Sequence, residues 1–302
     1  MTPELHRFGH EAMTTLFEVI IAHPERDYAR QAALAVFREV DRLERLLSRF
    51  DSGSDIGQIN LLHPGQTVSI SAEVMECLLA AVWVAHETQG AFDATIGPLL
   101  DCYQVKDRTF QAPDEARLAQ ALRQIGMKHL VLDVPRYRVG VQREVVLDLG
   151  AIGKGYALDK AAEILEEWEI GNALLHAGTS SVLAIGEGDR PGGWSVGVGG
   201  DWGKQCGTEP VILQNGALSG SGKEVKGEHI FDPRTGRPAT GHIAAWALCP
   251  SAAVSDGLST AFMVMTGPEV RDFCASHEDI GAYVVDHNRI EIHGKRGQSP
   301  RQ

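Results

Sequence analysis

The sequence lacks the features that define several large classes of protein. No uninterrupted apolar run approaches the roughly 20 residues that a membrane-spanning helix needs. The opening stretch, "MTPELHRFGHEAM", has no basic region leading into an apolar one and no lipidated cysteine, so no signal peptide is read there. The expectation is a cytoplasmic chain, unless an export signal was removed ahead of this numbering. Basic residues are in deficit, with 28 Lys and Arg against 40 Asp and Glu, a formal net charge of -12. That balance argues against sequence-independent nucleic-acid binding, which needs Lys and Arg to displace counterions. It leaves room for a phosphate-bearing ligand, because a local pocket or a bound metal overrides the global sign. The five cysteines, Cys77, Cys102, Cys206, Cys249 and Cys274, are widely spaced and odd in number, with no C-x-x-C, which argues against a disulfide framework. Cys77 and Cys274 sit in apolar helical patterns and are expected in the core. Familiar catalytic signatures are missing too: no H-E-x-x-H, no EF-hand loop, no G-x-S-x-G.

What remains is a globular composition. The chain has 302 residues, 43% apolar and 23% charged, enough for a substantial core. Strand-like segments ("TTLFEVIIA", "QTVSIS", "HLVLDV", "YRVGV", "EVVLDL", "NALLHAG", "SSVLAIG", "HIAAWALCP", "GAYVVD") alternate irregularly with helical ones (28–50, 72–90, 113–126, 152–168, 255–267 and 268–277). Strands come in runs without strict βαβ alternation, which predicts an α+β fold of mixed or antiparallel sheets with flanking helices. No repeat, low-complexity block or linker divides the chain, so residues 1–302 read as a single domain.

The most suggestive stretch is "LDLGAIGKGYALDKAAEIL", Leu147 to Leu165. Glycine is a poor helix former, yet Gly150, Gly153 and Gly155 crowd an apparent helix start. Bare backbone N–H groups at a helix N-terminus attract anions, and glycine lets a phosphate approach closely. Lys154 adds a positive charge. The stretch is not a Walker loop, since it lacks the four-residue spacer and the Ser/Thr after lysine. Helix–sheet packing explains the glycines equally well, and Asp148 reads as a turn aspartate or as an anchor for ligand donors. In "SDGLSTAFMVM", Asp256 and Thr260 lie on one helical face while Leu258, Phe262 and Met265 face the core. A carboxylate and a hydroxyl one turn apart suit Mg²⁺, although spacing alone favours Ser255 or Asp256 as an N-cap. "HIFDPRTGRP" joins His229, a candidate proton acceptor, to turn chemistry that includes Asp232.

The order of these pieces is more specific than any one of them. "MTTLFEV", "SRFDSGSDIGQIN", "GAFDATIGPLL", "LDLGAIGKGYALDKA", "HIFDPRTGRP" and "SDGLSTAFMVM" together resemble the ApbE family, the FAD:protein FMN transferases, over residues 13 to 290. The resemblance implies one α+β domain that binds FAD and Mg²⁺, releases AMP, and leaves FMN on a Ser or Thr hydroxyl of an acceptor flavoprotein. By motif position, Ala151 would offer its carbonyl to Mg²⁺, with Asp256 and Thr260 supplying side-chain oxygens. Met13, Phe50, Ala91, Phe92, Asp93, Asp148, Lys154 and Phe231 fall where the family contacts FAD. His229 matches the proposed base, with Asp232 beside it as a second catalytic candidate. This chain departs from the family at "HAGTSS" (176–181), where members often read N-A-G-G-D, and at "SGSGKEVKGEHIF", which lacks a tyrosine and an arginine and is short. Ser259 stands where some members carry a second aspartate. Two alternatives stay open: a hydrolase converting FAD to FMN and AMP at the same site, or an FAD-binding protein without turnover.

Overall fold

Two strands, β1 (Leu5–Ala12) and β2 (Thr15–Ala22), open the chain as a hairpin, with Leu5 opposite Ala22 and Ala12 opposite Thr15. The computed structural model describes residues 4–106, 109–188, 192–198, 209–223, 230–286 and 289–295. β1 was absent from the sequence expectation. Its segment, "LHRFGHEA", is polar for a strand, and it forms one because it lies at the edge of a sheet, paired on one side alone.

That sheet has eight antiparallel strands in the order β1-β2-β8-β9-β12-β13-β14-β15, where β8 is Ala173–Ala177, β9 Ser181–Ile185, β12 Gly216–Gly222, β13 Ala244–Cys249, β14 Gly281–Val285 and β15 Ile290–Gly294. It is covered on both faces, and the period-2 alternation of strand side chains sorts residues between two cores. Phe17, Val19, Ile21, Leu175 and Ala247 face three helices: α1 (Arg26–Leu47), α6 (Gly153–Glu167) and α7 (Ala252–Val264). Leu174, Val182, Leu218 and Leu248 face the other way, onto a ribbon of β10 (Trp194–Val196) and β11 (Val211–Leu213). The expected core residues Leu258, Phe262 and Met265 are buried, as are Cys77 and Cys274. Among the described residues no helix is long and apolar enough to cross a membrane.

The remaining elements wrap the helical side. They are α2 (Asp55–Asn60), a small sheet of β3 (Thr67–Ser69), β7 (Arg138–Val141) and β6 (Leu130–Asp133), and the helices α3 (Ala72–Glu87), α4 (Gly97–Cys102), α5 (Glu115–Leu122) and α8 (Gly267–Ser276). A two-stranded ribbon of β4 (Gln104–Lys106) and β5 (Thr109–Gln111) lies between α4 and α5 in the chain. The segment "EVVLDL" is not a strand. Its backbone is satisfied by other means: the Asn60 side chain accepts from Leu147 N–H (2.7 Å) and donates to Leu147 C=O (3.1 Å). The Val146 carbonyl accepts from Gly97 N–H, and Asp148 N–H donates to the Ala94 carbonyl. The Asn60 amide and the backbone of Gly97 and Ala94 together therefore do the work of a neighbouring strand. Asn60→Ala would strand two polar groups around the fully buried Leu147, and is expected to lower the unfolding free energy by about 2–3 kcal/mol in denaturant titration.

Candidate active site

The site grows from the contact between α6 and α7. Gly155 lies in the first turn of α6, and a Cβ there would fall well inside van der Waals contact distance of the Ala252 carbonyl oxygen and 2.8 Å from Asp256 Cβ. Glycine at 155 thus lets the two helices meet at their backbones. One turn later, Asp159 accepts from Ala252 N–H (2.7 Å), Ala253 N–H (2.9 Å) and Ser251 Oγ (2.8 Å), so a carboxylate of α6 caps the start of α7. Burial pushes the Asp159 carboxyl up, and those three donors oppose the shift. Ser251 is the N-cap, accepting from Val254 N–H, which places Asp256 inside the helix rather than at its cap.

Asp256 is 3% exposed and fully engaged. Its Oδ2 accepts from Gly155 N–H (3.1 Å) and lies 3.4 Å from Lys154 Nζ; its Oδ1 accepts from Ser181 Oγ (3.1 Å). Lys154 Nζ also donates to the Gly150 carbonyl at 3.2 Å, so the ammonium bridges the glycine turn and the carboxylate. A chain of hydroxyls continues on the same side. Ser259 Oγ donates to the Asp256 carbonyl, Ser221 Oγ lies 2.9 Å from Ser259 Oγ, and Ser221 Oγ lies 3.2 Å from Thr260 Oγ1.

Asp148 closes the other flank. Its Oδ1 accepts from Gly150 N–H (2.8 Å), which shapes the turn ahead of half-buried Ala151 and of α6, and its Oδ2 pairs with Arg49 Nε at 3.3 Å. Arg49 Nη2 reaches Asp101 at 2.8 Å, while its buried Nη1 has no hydrogen-bond partner among the described residues. The guanidinium carbon sits 4.9 Å from the centroid of the Phe50 ring, and Phe50 is 87% exposed. An aromatic ring held that far into solvent, with a cation behind it, is a ready stacking surface.

The other expected residues are dispersed in their contacts. Ala91, Phe92 and Asp93 are buried; Asp93 accepts from Thr95 N–H, Thr95 Oγ1 and Met127 N–H, and burial raises its carboxyl pKa against those bonds. They border the site through Ala94, whose carbonyl holds Asp148 N–H. Phe231 is buried against Tyr103, with ring centroids 4.2 Å apart. Asp232 accepts from Arg234 N–H and Nε within its turn. Met13 and Thr14 form the two-residue β1–β2 turn, both at positive φ (48° and 58°), and Met13 N–H donates to Glu44 of α1. His229 lies outside the described residues.

Sequence reasoning missed Arg49, Asp159 and Ser181. Asp159 had a signal, since it sits one helical turn from Gly155 and shares its face. Ser181 had none: it meets Asp256 across 75 residues. It also lines a cavity of about 800 Å³ on the outer sheet face, with Arg7, Glu18, His176 and Trp246. Burial lowers the His176 pKa there.

Within this α+β fold a glycine-rich helix start thus faces a buried carboxylate across the α6–α7 contact. Residues 13–284 match the ApbE family model, and this chain belongs to that family. An FAD:protein FMN transferase from Klebsiella pneumoniae (strain 342) is 24% identical over 290 residues, covering 91% of this chain and 82% of that protein. The solved ApbE protein from Thermotoga maritima is 29% identical, with a TM-score of 0.83 over 98% of this chain and 97% of its own. The apo flavinyl transferase ApbE of Pseudomonas stutzeri shares the fold at a TM-score of 0.83 and 24% identity, over 97% and 96% of the two chains.

Among the described residues no three His, Cys, Asp or Glu side chains gather as an all-protein metal cage would require. The donor set at Asp256 is one carboxylate with neutral oxygens nearby. That fits Mg²⁺, which binds through one or two carboxylates and completes its shell with waters and substrate phosphates.

Proposed function

We propose that this chain transfers FMN from FAD to a Ser or Thr hydroxyl of an acceptor flavoprotein and releases AMP, with Mg²⁺ held by Asp256, Thr260 and the Ala151 carbonyl. The observation that carries this reading is the buried Asp256 carboxylate, fixed against Lys154 and the first-turn amide of Gly155. The glycine turn and the N-terminus of α6 would receive the diphosphate, with Lys154 neutralising part of its charge. When bound, Mg²⁺ would offset the charge that builds on the diphosphate oxygens as the leaving group departs. Phe50 would stack on the isoalloxazine ring, and Asp148 would accept from the dinucleotide's donors, its position set by Arg49 and Gly150 N–H. Met13, Phe231 and the Ala91–Phe92–Asp93 backbone would line the remaining contacts.

In the reaction, the acceptor oxygen attacks the FMN phosphorus, and the bond from that phosphorus to the bridging oxygen breaks. AMP leaves with the bridging oxygen. His229 would take the acceptor's proton, while Asp232, locked by Arg234, would fix the turn that follows the histidine.

Mass spectrometry of a candidate acceptor domain, after incubation with the protein, FAD and Mg²⁺, tests the reading. Covalent FMN together with AMP supports it; AMP with no covalent flavin means hydrolysis, and neither product means binding without turnover. His229→Ala is expected to slow transfer by about 10²–10⁴-fold, with FAD affinity changed far less. Equal losses in rate and affinity would make the histidine structural.

A further inference from the structure

We propose that Ser181 is a positioning residue for the cation site: its hydroxyl fixes the rotation of the Asp256 carboxylate and so sets cation affinity. The inference rests on the reading of Asp256 as a metal ligand. The terminal torsion of an aspartate is broad, so position along the helix does not by itself aim the two oxygens. Gly155 N–H and Lys154 hold Oδ2, and Ser181 Oγ holds Oδ1 at 3.1 Å. With three donors shared between the two oxygens, the carboxylate plane is pinned at both ends.

The serine is a stiff anchor. It is 3% exposed, so water does not readily replace its hydroxyl. Its backbone sits inside the sheet, opposite Ala177 on one side and Ser219 on the other. The neighbouring Ser180 Oγ is 3.4 Å away, a weaker partner than a carboxylate at 3.1 Å. The first residue of β9 therefore supplies a hydrogen bond to the central carboxylate. Hydrogen bonds to a ligating carboxylate orient it, and their removal typically costs 10–100-fold in metal affinity.

The test is Mn²⁺ binding to the 302-residue protein, followed by electron paramagnetic resonance with and without FAD. Ser181→Ala is expected to weaken Mn²⁺ about tenfold, and Ser181→Thr, which restores the hydroxyl, to return affinity to within about threefold of the parent. Asp256→Asn is the reference that should remove most binding. If Asp256→Asn removes binding and Ser181→Ala binds as the parent does, the positioning role is overturned and the metal reading stands. If Asp256→Asn binds normally, both fall. Should the alanine protein not fold, Ser181→Cys keeps the volume with a poor donor and takes its place. A purely structural serine would alter thermal stability without the recovery by threonine alone tracking Mn²⁺ affinity.

Discussion

Asp256→Asn is expected to cut cation-dependent AMP release and flavin transfer by about 10³-fold, which corresponds to roughly 4 kcal/mol of barrier. The amide is nearly the same size, so α7 should keep its place under the Asp159 cap. What changes is charge and hydrogen-bond polarity. An NH₂ group facing Lys154 and Gly155 N–H sets donor against donor where Oδ2 accepts now. Flipping the amide relieves that conflict, because the Ser181 hydroxyl can turn to accept from the NH₂, so the hydrogen-bonded geometry survives and the loss is one of charge. The site loses the formal negative charge that would draw a divalent ion. AMP release measured across a Mg²⁺ titration checks this, alongside thermal melting to show that the fold persists. Turnover at the parent rate would remove the metal assignment.

Gly155→Ala is expected to cost at least about 3 kcal/mol of stability, a large effect for a single methyl group. The obstacle is backbone: the Ala252 carbonyl at the start of α7 occupies the space a Cβ needs. Relief requires α6 and α7 to separate, which would also pull Asp256 away from Gly155 N–H and Lys154. Stability and cation binding should therefore fall together. Gly171→Ala is the control, because nothing lies within 4 Å of a Cβ there and its effect should be within about 0.5 kcal/mol. Chemical denaturation of both variants measures the contrast; a stable Gly155→Ala protein would mean that the helices do not meet as described.

Local features of the site were legible because they are written within a few residues of one another. The three glycines and Lys154 announce a special helix start, and Asp256 and Thr260 share a helical face by spacing. The core side of α7 followed from the same periodicity. Two things escaped. β1 escaped because an edge strand needs few apolar residues, and "LHRFGHEA" carries four ionisable side chains. "EVVLDL" misled in the opposite direction: its apolar run looks like a strand, but its backbone is claimed by Asn60, Gly97 and Ala94. Ser181 and Arg49 were invisible for a third reason, since their partners lie far along the chain and only packing brings them within hydrogen-bond reach.

The hairpin at the start of the chain has a practical consequence. The family match begins at Met13, just after β1 ends. Cutting the protein to that boundary would bare the flank of β2, whose "TLFEVIIA" is rich in β-branched and aromatic residues. Exposed backbone of that kind recruits other chains and invites self-association. Residues 5–12 act as a sacrificial hem: chemically unremarkable, outside the recognised boundary, and covering the backbone edge of β2.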